Sequence, residues 1–574
     1  MKTTLERVRE GMLERLAAAL AQARRAGELP AGEGAPEAAA PAGLPPAAVL
    51  EVPHERGHGD LATNLALVLA GAARRPPREV AAVIARHLDP APPLDRVEVA
   101  GPGFINLFLD PSWLYGVLFD IHEQGARYGT SDAGGGRRVQ VEFVSANPTG
   151  PLVIVSARAA AVGDCLANLL AATGHAVERE FYINDAGHQV ELLGKSVQAR
   201  WRELSGQPAA VPEDGYHGEY LIDIARALHE QVRARRAADP ALLPDDAQVD
   251  AFGRAAVAEM VAGQRRLLAA YGVEFDNWVS ERALRARNAV AEALDLLRGS
   301  GHTYQAEGAL WFRSTAFGDD KDRVLVRGDG EPTYLAADIA YHLDKYRRGN
   351  DLVIDIWGPD HHGYVARMKA AMNALGRPAG ALEVLIVQLV RLLRGGEAVR
   401  MSKRGGEFVS MQELVDEVGR DAARFFFLTR SPDAHLDFDL DLARLQSNDN
   451  PVYYVQYAHT RIAGIFRHDA RMTAAPPPGE ARLDLLQDPS EFDLLRHLAA
   501  FPGWVRSAAL GREPHHITRY AHELAGLFHA FYTRCRVLDA GGDLTGARLA
   551  LAAAVQTTLR NALTLMGVSA PEHM

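Results

Sequence analysis

Residues 138–174 read RVQVEFVSANPTGPLVIVSARAAAVGDCLANLLAATG. The opening RVQVEFVS is a short β-rich run, the next residues form a Pro and Gly turn, and ARAAAVGDCLANLLAATG has the apolar spacing of a helix. Strand, glycine turn and helix begin a doubly wound α/β unit, whose ligands sit beyond the carboxyl ends of the strands. A further strand, loop and helix follow at 349–376, GNDLVIDIWGPDHHGYVARMKAAMNALG. A long helical insertion, about 191–296, is expected to split the sheet between them.

Upstream, MKTTLERVREGMLERLAAALAQARR carries Glu6, Glu10 and Glu14 among its apolar positions, which suits an amphipathic helix and not a signal peptide. A Pro, Gly and Ala-rich run over 25–48 predicts a mobile loop. Helical spacing then resumes, broken at Pro76 and Pro77, and VEVAGPGFINLFLD predicts two strands about a Gly-Pro-Gly turn. Residues 1–110 are thus expected to be a small α+β domain and 111–418 an α/β domain. Past about Gly419 strands are expected to cease. DAARFFFLTR, NPVYYVQYAHTRIAGIFRH, ITRYAHELAGLFHAFYTRCRVL and ARLALAAAVQTTLRNALTLMG all repeat apolar residues at helical spacing, so 419–574 is expected to be an all-α bundle.

A chain of 574 residues exceeds one hydrophobic core, and three or four domains with separate cores are expected. With 48% hydrophobic and 24% charged residues, the composition is that of a soluble globular protein, and no stretch is read as approaching the roughly 18 apolar residues of a membrane span. Cytoplasmic location is the expectation. Cys165 and Cys535 are too few for a disulfide framework or a cysteine-built zinc site. A net charge of -11 argues against nucleic-acid binding driven by overall charge, so any such partner needs local basic patches.

Three groups of residues carry candidate chemistry. RMSKRGG at 400–406 sets Lys403, between Ser402 and Arg404, in a glycine-rich loop; alone it reads as a solvated basic loop as readily as a polyphosphate site. Tyr334 and Asp338 are four apart on a predicted helix and share a face. Asp360, His361 and His362 follow a predicted strand, at the ligand-binding edge of the sheet. Adjacent histidines point apart and no Cys or third His stands at ligand spacing, so nucleotide or substrate contacts are favoured over zinc, and no protein-bound metal is expected.

VEFVSANPTGPL, EFYINDAGHQ, GEPTYLAADIAYHLDK and RMSKRGG resemble, in the same order, successive blocks of the class I arginyl-tRNA synthetases of bacterial type. GHGDLATNLA and GPGFIN resemble that family's additional N-terminal domain, and FDLDLARLQSNDNPVYYVQYAH with the closing helices resembles its DALR-type anticodon-binding domain. The resemblance covers essentially the whole chain. It implies a Rossmann-like class I catalytic domain between a tRNA-binding N-terminal domain and an anticodon-binding bundle. Asn147 would meet the α-amino group of arginine, with Ser145 beside it, and Tyr334 and Asp338 would face the guanidinium. A buried carboxylate takes that planar fork in two charge-assisted hydrogen bonds, which lysine cannot reproduce. Glu142 is either a further carboxylate of this pocket or a structural charge. His361 would complete the arginine contacts, Gly358, Asp360 and His362 those to adenylate, and Lys403 would stabilise the pyrophosphate leaving group. Tyr453, Tyr454, Gln456 and Tyr457 would contact tRNA, although aromatic residues at helical spacing are more often core.

One block departs from the family. After Pro148, Thr149, Gly150, Pro151 and Leu152, class I enzymes carry a HIGH signature, where this chain has Val153, Ile154, Val155 and Ser156. The family's histidines donate to phosphate oxygens as charge develops, and loss of one such donor costs ~3–4 kcal/mol in the transition state. Valine donates nothing, and the shorter Ser156 side chain reaches less far than imidazole. A β-branched Val155 also fills space that glycine leaves for the base. The PLVIV run itself reads as a buried strand end.

The function implied is an arginine-tRNA ligase that uses ATP with Mg2+, L-arginine and tRNA(Arg), without structural zinc, membrane attachment or an editing domain, and as a monomer. A rival reading, motivated by the altered signature alone, is a synthetase-like tRNA-binding protein that has lost adenylation.

Overall fold

The computed structural model describes residues 2–30, 43–53, 55–234, 238–399, 409–468 and 475–574. The middle of the loop predicted over 25–48 and all of RMSKRGG, with Ser402, Lys403 and Arg404, lie outside these residues.

Five strands form the central sheet: β1 (Arg138–Glu142), β2 (Ala176–Ile183), β3 (Asn277–Ser280), β4 (Leu352–Trp357) and β5 (Leu382–Ile386). Their order is 5-4-1-2-3 and every pairing is parallel. The chain enters at the centre, winds outward through β2 and β3, then returns to build β4 and β5 on the other side. The carboxyl ends of β1 and β4 therefore flank the point where the winding reverses, the place such sheets open a binding crevice. β3 lies inside the region read as a helical insertion. Its four residues, NWVS, are all half-buried and give no period-2 contrast to detect. The insertion is otherwise led by helices His188–Leu204, Tyr220–Arg233 and Asp245–Ala270.

Helix α1 (Ile154–Ala172) joins β1 to β2. Val139 and Val141 of β1 and Ile354 and Ile356 of β4 pack on its side of the sheet, and Val353 packs on the opposite side, beneath helix α2 (Tyr334–Arg347). Gly163 lets α1 approach β1 closely, because a Cβ there would stand 2.2 Å from the Phe143 ring. The expectation that no stretch reaches membrane-span length needs correction: α1, 19 residues with mean hydropathy 1.4, is long and apolar enough. It is nonetheless a core helix, with 83% of that window buried in the protein.

Among the described residues the hydrophobic side chains gather into three clusters, but not one per domain. The N-terminal domain has its own, under a four-stranded sheet whose Leu94–Ala100 and Phe104–Leu109 strands form the predicted antiparallel pair. The far face of the central sheet has another. The third is shared: α1 packs against α3 (Met411–Val418), α4 (Arg420–Phe427), α6 (Pro489–Gly511) and α8 (Gly542–Met566), so one core runs from the central sheet into the C-terminal helices.

Arg424 of α4 is fully buried at this junction. It donates to the carbonyls of Met566 (2.9 Å), Tyr271 (3.2 Å) and Gly272 (3.4 Å) and pairs with Asp164 of α1 at 2.5 Å. Gly567, at φ 67°, leaves room for it: a Cβ there would lie 2.1 Å from the guanidinium.

Strands do not cease at Gly419. Leu436–Asp439 pairs in parallel with Val390–Arg394, and buried Leu436 and Phe438 alternate with Asp437 and Asp439 in a period-2 pattern only four residues long. From α5 (Pro451–His468) onward the described chain is helical, through α6, α7 (His515–Arg534) and α8. A small antiparallel sheet of Thr303–Ala306, Ala309–Phe312 and Arg323–Val326 precedes α2 and was also not anticipated.

Candidate active site

β1 ends at Glu142, and the chain leaves it through two non-glycine residues in the left-handed region, Val144 (φ 70°) and Ser145 (φ 39°). A valine held there is a strained conformation of the kind that concentrates at functional turns. The hydroxyl of Ser145 fixes it: it donates to Glu142 Oε1 at 2.8 Å and accepts the Tyr182 N–H at 3.1 Å. Asn147 is exposed, 3.3 Å from the Asn184 amide. Tyr220, from the insertion, donates to the Thr149 carbonyl at 2.6 Å, so the insertion braces the turn. Pro148 and Thr149 are buried, Gly150 is half-buried and Pro151 is exposed.

The four altered signature residues do not continue a strand, as the PLVIV run suggested. Val153 is the extended N-cap of α1 and Ile154 its first residue, with no side-chain cap. The first-turn N–H groups therefore point past the sheet's carboxyl edge, where a helix start favours anionic ligands. Val153 and Val155 are half-buried, Ile154 and Ser156 buried. Val153 forms an antiparallel bridge with Ser410, and Met411 N donates to the Leu152 carbonyl at 2.8 Å. Ser410 in turn caps α3. The chain leaving the RMSKRGG segment is thus pinned to the start of α1.

Across the crevice, Tyr334 is the first residue of α2 and 70% exposed; Asp338, one turn on, is half-buried and accepts the Tyr364 hydroxyl at 2.6 Å. Burial pushes the Asp338 carboxyl above its ordinary range, Glu281 and Glu142 add to the rise, and Tyr364 and His342 oppose it.

Further along α2, Tyr341, His342 and Lys345 face the sheet. There Asp355 of β4, Glu142 of β1 and Glu180 of β2 stand side by side in register. Lys345, 0% exposed, pairs with Glu142 and, at 2.7 Å, with Asp355. Tyr341 lies 2.8 Å from Glu142 and 2.6 Å from Glu180, His342 Nε2 2.7 Å from Asp355, and Arg348 2.6 Å from Glu180. Burial alone would raise the Asp355 carboxyl, but Lys345 and His342 outweigh it and hold it down to about 2. Glu142 is thus already engaged by Lys345, Tyr341 and Ser145.

Gly358 and Asp360 follow β4 directly, in a short 3-10 turn, Pro359–Tyr364, with His361 and His362 exposed. His361 lies against Trp357, rings 6.1 Å apart. One group among the described residues has metal-ligand spacing, Glu513, His515 and His516, at the start of α7 and outside this crevice. On α5, Gln456 is buried, its amide donating to Asp421 and the Ser569 carbonyl, each at 3.0 Å. Tyr453 and Tyr457 stack half-buried at 5.8 Å, and Tyr454 packs on His522 and His529.

The sequence motifs contain Tyr364, Tyr341, Lys345 and Asp355 but give no separate sign of a role for them. The available signal was the stripe 334, 338, 341, 345, one helical face, which a tyrosine and a lysine continue inward from the carboxylate.

Three segments of the chain match families. Residues 13–109 match the arginyl tRNA synthetase N terminal domain, 119–433 the catalytic domain of class I (R) tRNA synthetases, and 455–574 the DALR anticodon binding domain. The chain belongs to the arginyl-tRNA synthetases. Similar proteins include the arginine–tRNA ligase of Desulforudis audaxviator, 54% identical over 96% of this chain and 99% of that one. That of Moorella thermoacetica is 53% identical over 98% of each. The arginyl-tRNA synthetase of Thermus thermophilus shares the fold, with a TM-score of 0.72, at 23% identity over 99% of this chain and all of that one. Nothing in these comparisons supports the rival reading of an arginyl-tRNA synthetase relative reduced to RNA binding.

Proposed function

We propose that this chain is an arginine–tRNA ligase: it joins arginine to the α-phosphate of ATP, releasing pyrophosphate, and passes the arginyl group from the adenylate to a ribose hydroxyl of the terminal adenosine of tRNA(Arg), releasing AMP. The observation that carries the reading is Asp338, a partly buried carboxylate on α2 held by Tyr364 beside the crevice where β1 and β4 part. A guanidinium entering there gains two charge-assisted hydrogen bonds, with Tyr334 one turn away. Asn147 and Ser145, at the strained turn, would hold the amino-acid end, and Gly358, Asp360, His361 and His362 would line the nucleotide side. ATP enters with its magnesium as substrate, and the uncapped first turn of α1 presents backbone N–H groups suited to its phosphates. Lys403 and its neighbours would neutralise the departing pyrophosphate, and the chain that follows them is tied at Ser410 to Val153.

Attack by the arginine carboxylate needs no covalent enzyme intermediate. The protein's task is to align two bound substrates and stabilise charge, and each developing phosphate charge left without a donor slows the step. Val153, Val155 and Ser156 supply fewer donors than the family signature, so activation is expected to be slow while arginine and tRNA binding persist. Tyr453, Tyr454, Gln456 and Tyr457 would serve tRNA, Gln456 by fixing its neighbours from within. We take the protein to act in the cytoplasm as a monomer. The test is arginine-dependent ATP–pyrophosphate exchange with and without tRNA, together with tRNA retardation at several salt concentrations. Exchange driven by another amino acid, or no retention of tRNA at any salt, overturns the reading.

A further inference from the structure

The stripe on α2 has two halves. Its outer half, Tyr334 and Asp338, overhangs the carboxyl edge of the sheet; its inner half, Tyr341 and Lys345, meets the carboxylates of three adjacent strands. Lys345 stands two turns, ~10 Å, along the axis from Asp338. Its single ammonium binds Glu142 on β1 and Asp355 on β4, residues in register on the two strands that flank the winding reversal. It therefore fixes the position of α2 along the sheet and its rotation about its own axis. Two further links run outward from the same cluster. His342 Nδ1 lies 2.7 Å from the Asp338 carbonyl while its Nε2 meets Asp355. Glu142, held by Lys345 and Tyr341, receives the Ser145 hydroxyl that sets the strained turn.

We propose that Lys345 is a positioning residue for the amino-acid site: its buried ammonium locks α2 against β1 and β4, and so places Asp338 and the Ser145 turn where one arginine can reach both. The inference rests on the reading of Asp338 as the guanidinium carboxylate. A buried ion pair can equally serve the fold alone, with no bearing on ligand geometry. The two roles separate in a binding isotherm. Misplacing Asp338 weakens affinity and leaves the number of sites intact, whereas a merely destabilised fold lowers the fraction of competent molecules and leaves the affinity of the rest unchanged.

The experiment is calorimetric titration of L-arginine into the intact chain and into Asp338→Asn, Lys345→Met and Tyr341→Phe. Lys345→Met is expected to raise the arginine Kd on the order of 10- to 100-fold at unchanged stoichiometry, the scale of an ångström's misplacement. Tyr341→Phe keeps every charge and removes only the hydroxyl between Glu142 and Glu180; it is expected to weaken binding several-fold, and it decides the matter if Lys345→Met does not fold. If the unaltered chain and Asp338→Asn bind arginine alike, the site reading itself fails. If Asp338→Asn weakens binding while Lys345→Met and Tyr341→Phe stay within twofold of the parent, or if only the stoichiometry falls, the site stands and the positioning role is overturned.

Discussion

Restoring the signature at the start of α1, with Val153→His, Val155→Gly and Ser156→His together, is expected to accelerate arginine activation. Ile154 begins α1 and Val153 precedes it as an extended N-cap without a side-chain bond, so position 153 and the first turn border the crevice. In the parent the valines offer no donor there. One regained donor to a phosphate that gains charge is worth ~3–4 kcal/mol, or roughly 10²–10³ in the exchange rate. The two histidines act on one transition state and would not simply add. The gain has structural costs. Glycine for Val155 in a helical turn costs ~0.5–1 kcal/mol, and imidazole at position 156, where Ser156 is 8% exposed, adds ~1–3 kcal/mol of crowding. The triple variant should therefore melt somewhat lower and still exchange faster. The assay is arginine-dependent ATP–pyrophosphate exchange at saturating arginine, with and without tRNA, beside thermal melts of both proteins. Rates within threefold of each other in two well-folded proteins would refute the assignment of positions 153–156 to phosphate stabilisation.

Arginine binding should depend on pH through Asp338. Its carboxyl is raised, chiefly by burial, and must be ionised to hold a guanidinium. Below its raised pKa binding therefore expels a proton and weakens as pH falls, while above it affinity is flat; titration in two buffers of different ionisation enthalpy reads the proton, and its absence at acidic pH contradicts the account. Arg424→Met leaves Asp164, among the described residues, with only Arg179, at 3.3 Å, as a cationic partner, and strips donors from the Met566 and Tyr271 carbonyls. It should cost ~3–5 kcal/mol, read as a lower unfolding midpoint; an unchanged midpoint would mean that the junction between α1, α4 and α8 does not depend on it. Gly163→Ala should drive its methyl into the Phe143 ring and lower stability by ~1–3 kcal/mol, and a neutral result would show that α1 can stand off from β1 at little cost.

Much of the architecture was legible because local signals agreed with the fold. The β1 to α1 unit, the N-terminal strand pair about its Gly-Pro-Gly turn and the C-terminal helices all carry the right periodicity. What escaped was short or non-local. β3 and Leu436–Asp439 have four residues each, too few for a period to stand out, and both are fixed by neighbours distant in the chain. Cores were expected domain by domain, but α1 is apolar over most of its surface and is buried by the sheet on one side and by the C-terminal helices on the other. Of the proposed site, the sequence suggested the rim residues Asn147, Tyr334 and Asp338. Its foundation was not legible: Glu142, Glu180 and Asp355 become neighbours only once three strands pair, and no spacing along the chain announces that.

The claim on which the account rests is that a carboxylate on α2 selects a planar cation. Calorimetric titration of the intact chain with L-arginine and with L-citrulline, the same shape bearing a neutral urea, tests it most directly. Arginine should bind with a stoichiometry near one and citrulline should give no measurable heat of binding, since the urea cannot offset an ionised, partly buried Asp338. Equal affinity for the two would contradict it.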